Sequence, residues 1–400
     1  MVTQTLQKGY KQTEVGVIPK DWNVKKLNEI FSITAGGDLK KELFSEIKDE
    51  KHPYPIYSNS LLNKGLYGYS SDYEYNENCV TITGRGALGV ANSRDHKFNA
   101  IIRVLILKPL QKMSCFFISE YLNNKVKFSI ESTGVPQLTA PQVSGYKVAF
   151  PNPEEQTKIA QVLSDTDKLI ESFDKLIVKK KNLKVGSMQE LLTGKKRLSG
   201  FKEEWEVKKL KEIAEIIKGS GLSKTKIIPD GKYKCILYGE LFTTYSRVIK
   251  KVFNRTNYKE GTFSKKGDVL MPGSTTTIGI DLAIASALLE DKVLLGGDIN
   301  IIRPKNNLCN SEFLADYLTY VKKNKIAEIA QGITIIHLYG KNLKELSLNI
   351  PKDPEEQQAI AQVLSDMDAE IEELEQKRDK VKLLKDGMMQ QLLIGRIRLK

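Results

Sequence analysis

Several kinds of chemistry are missing from this 400-residue chain. No G-x-x-x-x-G-K-[ST] string occurs, so the phosphate-cradling loop of ATP-driven enzymes is absent. None of the 13 prolines is followed by another, which excludes the Asn/Asp-Pro-Pro-aromatic motif of amino-methylating DNA methyltransferases. The three histidines, His52, His96 and His337, lack metal-ligand spacing, and no metal site is expected. Cysteine is scarce: Cys79, Cys115, Cys235 and Cys309 stand far apart with no C-x-x-C. That suits reduced thiols in a cytoplasmic setting, not disulfides or zinc. No apolar run reaches about 18 residues, so a membrane span is not expected. The opening MVTQTLQKGYK has no apolar signal core. No catalytic constellation is visible.

What the chain does have is positive charge. The formal net charge is +13 and the pI about 9.2, with 40% hydrophobic and 28% charged residues. This is the composition of a globular protein with a polyanionic partner, usually nucleic acid. The charge alone leaves an inert basic surface open.

The strongest signal is an internal duplication. PEEQTKIAQVLSDTD at 153–167 returns as PEEQQAIAQVLSDMD at 354–368, and WNVKKLNEI at 22–30 returns as WEVKKLKEI at 205–213. Gly194, Arg197 and Leu198 return as Gly395, Arg398 and Leu399. Between these matched frames lie divergent middles, about 31–150 and 214–350, with weak echoes such as FFISEYL at 116–122 and EFLADYL at 312–318. Matched frames around divergent centres suit one scaffold holding two different readers. The expected fold class is α+β: two similar mixed α/β domains joined by two long helices, with pseudo-two-fold symmetry. The expected segments are 1–150 (first domain), 151–198 (central helix), 199–350 (second domain) and 351–400 (C-terminal helix).

Each of these helices opens with a start signal: Asn152 or Asp353 as N-cap, Pro153 or Pro354 at the first helical position, then paired glutamates. Gly194 and Gly395 suit the position just past the end. A narrow apolar stripe runs through Ile159, Val162, Leu169, Phe173, Leu176 and Leu183 in the first copy. In the second it runs through Ile360, Val363, Ile371, Leu374, Val381 and Leu384. At 1.5 Å per residue the first helix would span roughly 60 Å. A stripe so narrow on a helix so long needs a partner, and the two helices are expected to pair antiparallel as a coiled-coil spacer. That pairing would bring Leu399 towards Tyr10–Trp22.

The duplicated PEEQ…IAQVLSD.D helix starts, the ELLTGKKRL and QLLIGRIRL helix ends and the EVGVIPKDW segment resemble the specificity subunit of Type I restriction–modification systems. The resemblance covers nearly the whole chain. It implies two target recognition domains, one for each half of a bipartite sequence in double-stranded DNA, and no catalytic activity. It implies two modification subunits that methylate adenine, and restriction subunits that translocate and cleave. S-adenosylmethionine and ATP would belong to those partners, so no cofactor is expected on this chain. Two other readings remain: a recognition module fused to a solitary methyltransferase or nuclease, and a coiled-coil scaffold that binds no DNA.

GRGALG at 84–89 fits G-x-G-x-x-G, but the stretch after it, VANSRDHKFNAIIRVLIL, reads as turn and strand, not as the helix of a dinucleotide fold. GSTTTIG at 273–279 occupies the same point of the second copy. Both are read as DNA-facing loops, with a plain glycine turn as the alternative for any single residue. Arg85 could pair with guanine or bind a phosphate, and Ser274, Thr275, Thr276 and Thr277 could donate to phosphates or base edges. Arg94 and Lys97, Gln137 in GVPQLT, and His337 in the equivalent turn complete the set of candidate DNA contacts.

Overall fold

The computed structural model describes residues 8–129, 136–305 and 308–399. It divides into two compact units: Met1–Asp174 with Gln376–Lys400, and Lys175–Glu375. Each unit therefore combines one recognition domain with a half of each long helix.

The central sheets of the two units have the same strand order. In the first unit Phe31–Ala35, Leu105–Pro109, Cys79–Ile82 and Ala91–Arg94 lie side by side, every pair antiparallel. In the second the order is Ala214–Lys218, Ile299–Pro304, Asp268–Pro272 and Ser286–Leu288, with Val248–Ile249 added at the edge. A smaller four-stranded sheet accompanies each. The repeated tryptophan segments form short ladders: Asn23–Lys26 pairs with Lys147–Phe150, and Glu206–Lys209 with Ser347–Ile350. The largest apolar core of each unit takes in residues from both long helices, such as Ile159 with Leu392 and Met188 with Ile360, and smaller apolar clusters accompany it.

The long helices are α1, Pro153–Leu191, and α2, Pro354–Leu392. Their caps are those the sequence signals. Asn152 Oδ1 accepts from the Glu155 amide at 2.8 Å and Asp353 Oδ1 from the Glu355 amide at 2.8 Å. Gly194 and Gly395 take left-handed φ of 72° and 69°. A Cβ on Gly395 would press into the Pro19 and Trp22 side chains, so glycine also lets the helix end approach them.

Within each unit the helix halves run antiparallel. In the first, Asp174, Asp167 and Glu155 meet Arg378, Lys385 and Arg398 in reverse order. In the second, Lys181, Lys184 and Arg197 meet Glu375, Asp368 and Glu356. The chain end does approach the N-terminal segment: the Tyr10 hydroxyl donates to the Gly395 carbonyl at 2.9 Å, and Arg398 bridges Asp21 and buried Glu155. Burial resists ionisation of Glu155, but bonds from Arg398 and Trp22 outweigh it and hold its carboxyl below the usual range. Arg197, Trp205 and Glu356 repeat this cluster in the second unit.

The stripe on α1 needs a correction of phase. Val162, Leu169, Leu176 and Leu183 are 37, 46, 38 and 50% exposed. The inward line is one residue later: Leu163 and Ile177 are buried, Ile170 and Lys184 half-buried. Both lines repeat every seven residues, so periodicity alone cannot choose between faces about 100° apart. Ile159 is buried and Phe173 half-buried as expected. On α2 the stripe is in phase. Ile360 and Ile371 are buried and Val363, Leu374 and Val381 half-buried, while Leu384 is exposed.

An ionic junction ties each recognition domain to its helix halves. Glu120, from FFISEYL, faces Lys385 at 3.8 Å, and Lys385 also pairs with Asp167 at 2.7 Å. Asp316 holds the same place in EFLADYL. Its Oδ2 accepts from Arg247, which also reaches Asp368 at 3.2 Å, and Lys184 pairs with Asp368. Asp316 is fully buried, and its Oδ1 has no hydrogen-bond partner among the described residues. Burial raises the pKa of Glu120, and it pushes Asp316 up to about 7 despite Arg247.

Candidate nucleic-acid interface

The glycine string 84–89 closes a hairpin. Its flanking strands, Cys79–Ile82 and Ala91–Arg94, are antiparallel neighbours, so the string joins strand to strand. A dinucleotide cradle needs a helix there. The Thr83 hydroxyl ties the turn, donating to the Ala87 carbonyl and accepting from the Val90 amide. Gly86 and Gly89 have φ of 67° and 83°, which only glycine adopts readily. Asn59 Oδ1 accepts from the Gly84 and Arg85 amides at 2.7 and 3.3 Å and fixes the loop from the side.

Two of the sequence candidates meet at this tip. Arg85 forms a backbone bridge with Gln137, and the Leu138 amide donates to the Gly84 carbonyl at 2.9 Å. Arg85 and Gln137 are both exposed. The second unit repeats the frame: the Leu338 amide donates to the Gly273 carbonyl at 2.8 Å, and Ser274–Thr275 pairs with Ile336–His337. So Arg85 with Gln137, and Ser274 with His337, occupy matching rungs of two equivalent tips.

The remaining candidates divide. Arg94 does not reach the tip and needs correction as a DNA contact: it is 4% exposed, with its guanidinium 3.4 Å from the Tyr57 ring centroid. It donates to the Thr81 hydroxyl and the Lys64 carbonyl. Burial lowers its pKa to about 10. Closeness in sequence misled, because a four-residue strand carries the chain roughly 13 Å from the turn. Lys97 is further along, its ammonium donating to the Tyr73 hydroxyl at 2.9 Å. Ser274 and Thr275 are buried and serve the turn, Ser274 donating to Asp298 at 2.6 Å and Thr275 bonding Thr277 at 2.8 Å. The Thr277 hydroxyl also donates to Asp281. Thr276 is exposed, and half-buried His337 stacks on Tyr339, ring centroids 5.8 Å apart.

Both halves of the chain match a family model. Residues 19–179 and 202–383 each fit the Type I restriction modification DNA specificity domain. The chain belongs to this family. Among relatives of the specificity family, the chain is 24% identical to the Type I restriction enzyme MjaVIII specificity subunit of Methanocaldococcus jannaschii, over 98% of this chain and 97% of that one. The crystal structure of a Type I restriction–modification S subunit from M. genitalium shares the fold, with TM-score 0.63 at 15% identity over 97% of this chain and 98% of that one. A chain from a study of type I system assembly and conformational transition has TM-score 0.54 at 14% identity, over 95% and 99%.

Sequence reasoning about this specificity protein missed the supports of the tips. Asn59 and Asp298 lie 25 and 24 residues from the backbone and hydroxyl they hold, with no local motif to mark them. It also passed over Ile278, Ile333 and Ile335, whose signal was present as apolar residues inside a loop.

Proposed function

We propose that this member of the specificity family reads duplex DNA through its two tips, one half of a bipartite target per unit, and performs no chemistry itself. The observation that carries this reading is the pair of equivalent tips, identical in backbone scheme and different in exposed side chains, on a chain of net charge +13. Phosphates would supply affinity through the surplus lysines and arginines, and tip side chains would supply sequence choice. Two modification subunits would methylate adenine using S-adenosylmethionine, and restriction subunits would use ATP. The expected compartment is the cytoplasm, where these partners and the DNA meet.

The test uses the purified full chain and duplex DNA. Binding should weaken steeply as salt rises, and incubation with labelled S-adenosylmethionine should leave the DNA unlabelled until a modification subunit is added. Label incorporated by the chain alone would refute the non-catalytic role, and salt-independent binding would refute the phosphate contribution.

A further inference from the structure

At the second tip an isoleucine stands almost fully exposed, whereas the 84–89 turn of the first carries no large apolar side chain so exposed. Gln331 and His337 exchange backbone hydrogen bonds at 2.9 and 2.7 Å, closing a small loop. Gly332 within it has a φ of 135°, and a Cβ there would collide with the Ile335 carbonyl. At the apex of this clamped loop Ile333 is 99% exposed. Ile335 and Tyr339 beside it, and Ile278 on the adjoining 273–279 loop, are also exposed. The two loops touch: Thr275 pairs with Ile336, and Gly279 lies against Ala330 and Ile336.

A fully exposed isoleucine on a loop pinned from both sides forgoes burial that would stabilise the protein. Charge indicates what covers it. From Gln331 to Lys344 there is no carboxylate, and the exposed Lys341 and Lys344 come directly after the tip. The carboxylates beside the adjoining loop, Asp281 and Asp298, accept from the Thr277 and Ser274 hydroxyls. An apolar apex followed directly by lysines suits a polyanion that displays apolar groups. Duplex DNA displays one such group on its base edges, the C5-methyl of thymine in the major groove. The tip mixes isoleucine with the Thr276 hydroxyl and the His337 ring, the combination needed to touch a methyl group and bond neighbouring base edges. A side chain wedged between base steps would need only the apolar part.

We infer that the second unit reads thymine in its half-site through methyl contact by Ile333, supported by Ile335. This rests on the proposed reading of the tips as base readers. The first tip, with Arg85 and Gln137 on its matching rung, reads by hydrogen bonds instead.

The experiment measures binding of the full chain to duplexes carrying the half-sites found by methylation mapping. Uracil, which lacks only the methyl group, replaces thymine on both strands of one half-site at a time. Wild type should bind one of the two uracil duplexes more weakly, by about fourfold per methyl contacted. The double variant Ile333→Ala/Ile335→Ala should bind the thymine and that uracil duplex equally, at the weaker level. Both side chains are exposed, so the fold should survive. Equal binding of all duplexes by wild type, or discrimination retained by the double variant, overturns the methyl contact. A loss of all preference for the mapped sequence over a scrambled duplex in wild type overturns the base-reading function itself.

Discussion

The two units differ in the side chains at the tip and in the tightness of the junction. The first carries exposed Arg85 beside Gln137 at its tip, and has a loose junction in which Lys385 stands 3.8 Å from Glu120. The second has isoleucines at its tip and a tight junction, with Arg247 bonded to fully buried Asp316. Both keep the same sheet order, helix caps and tip ladder. The difference teaches what the duplicated frame constrains. The bond common to both tips runs backbone to backbone, from Leu138 to Gly84 and from Leu338 to Gly273, while the side-chain supports differ, Thr83 and Asn59 in one and Ser274 with Asp298 in the other. Side chains that take no part in those supports can change without moving the tip.

Breaking the junctions should separate the units most. Arg247→Ala leaves the buried Asp316 carboxyl without its hydrogen-bond donor and removes the pair with Asp368, and about 1–3 kcal/mol of stability should go. Lys385→Ala removes the 3.8 Å contact with Glu120 and the 2.7 Å pair with half-exposed Asp167, and should cost about 1 kcal/mol. Urea unfolding of the two variants checks this, and equal losses would erase the distinction. At the tips, Arg85→Ala should weaken binding by about 1–3 kcal/mol if the guanidinium meets guanine in two bonds. Methylation mapping should then show relaxed choice in one half-site and none in the other. Relaxation in both halves would break the idea of independent readers.

The next expected effect is on pH dependence. The Asp316 carboxyl is raised from 3.8 to about 7, so the folded second unit holds a proton that the unfolded chain releases. The resulting stability is complete below the unfolded pKa and fades as pH rises through about 7. Unfolding of the second unit, followed from pH 5 to 8, should show this decline, and Asp316→Asn should flatten it. A variant curve as steep as wild type would place the titration elsewhere.

The frame was legible in the sequence because it is local and repeated. Asn152-Pro153-Glu154-Glu155 encodes a helix start by cap, φ restriction and dipole, and its echo at 353–356 doubles the signal. The equivalence of the two glycine loops was legible for the same reason, but the bridge between Arg85 and Gln137 was not, because 52 residues separate them. The inward face of α1 was not. Two seven-residue repeats lie one position apart, and the inward one includes a polar residue, Lys184, whose ammonium pairs with Asp368 across the helix pair. Arg94 was misjudged because a strand's direction decides which end of a hairpin a residue occupies, and its cover by Tyr57 comes from far along the chain.

The first unit is completed only by residues 376–399, while the second is one continuous stretch, Lys175–Glu375. During translation at 5–20 residues per second, Gln376 is made about 10–40 s after Asp174. For that interval Leu163 and Ile159 lack Leu392 and Leu393, which share their core. The second unit can close as soon as its own stretch has emerged. The half of the protein made first is thus the last to finish folding, and in the meantime its unpaired helix is the segment most in need of a chaperone.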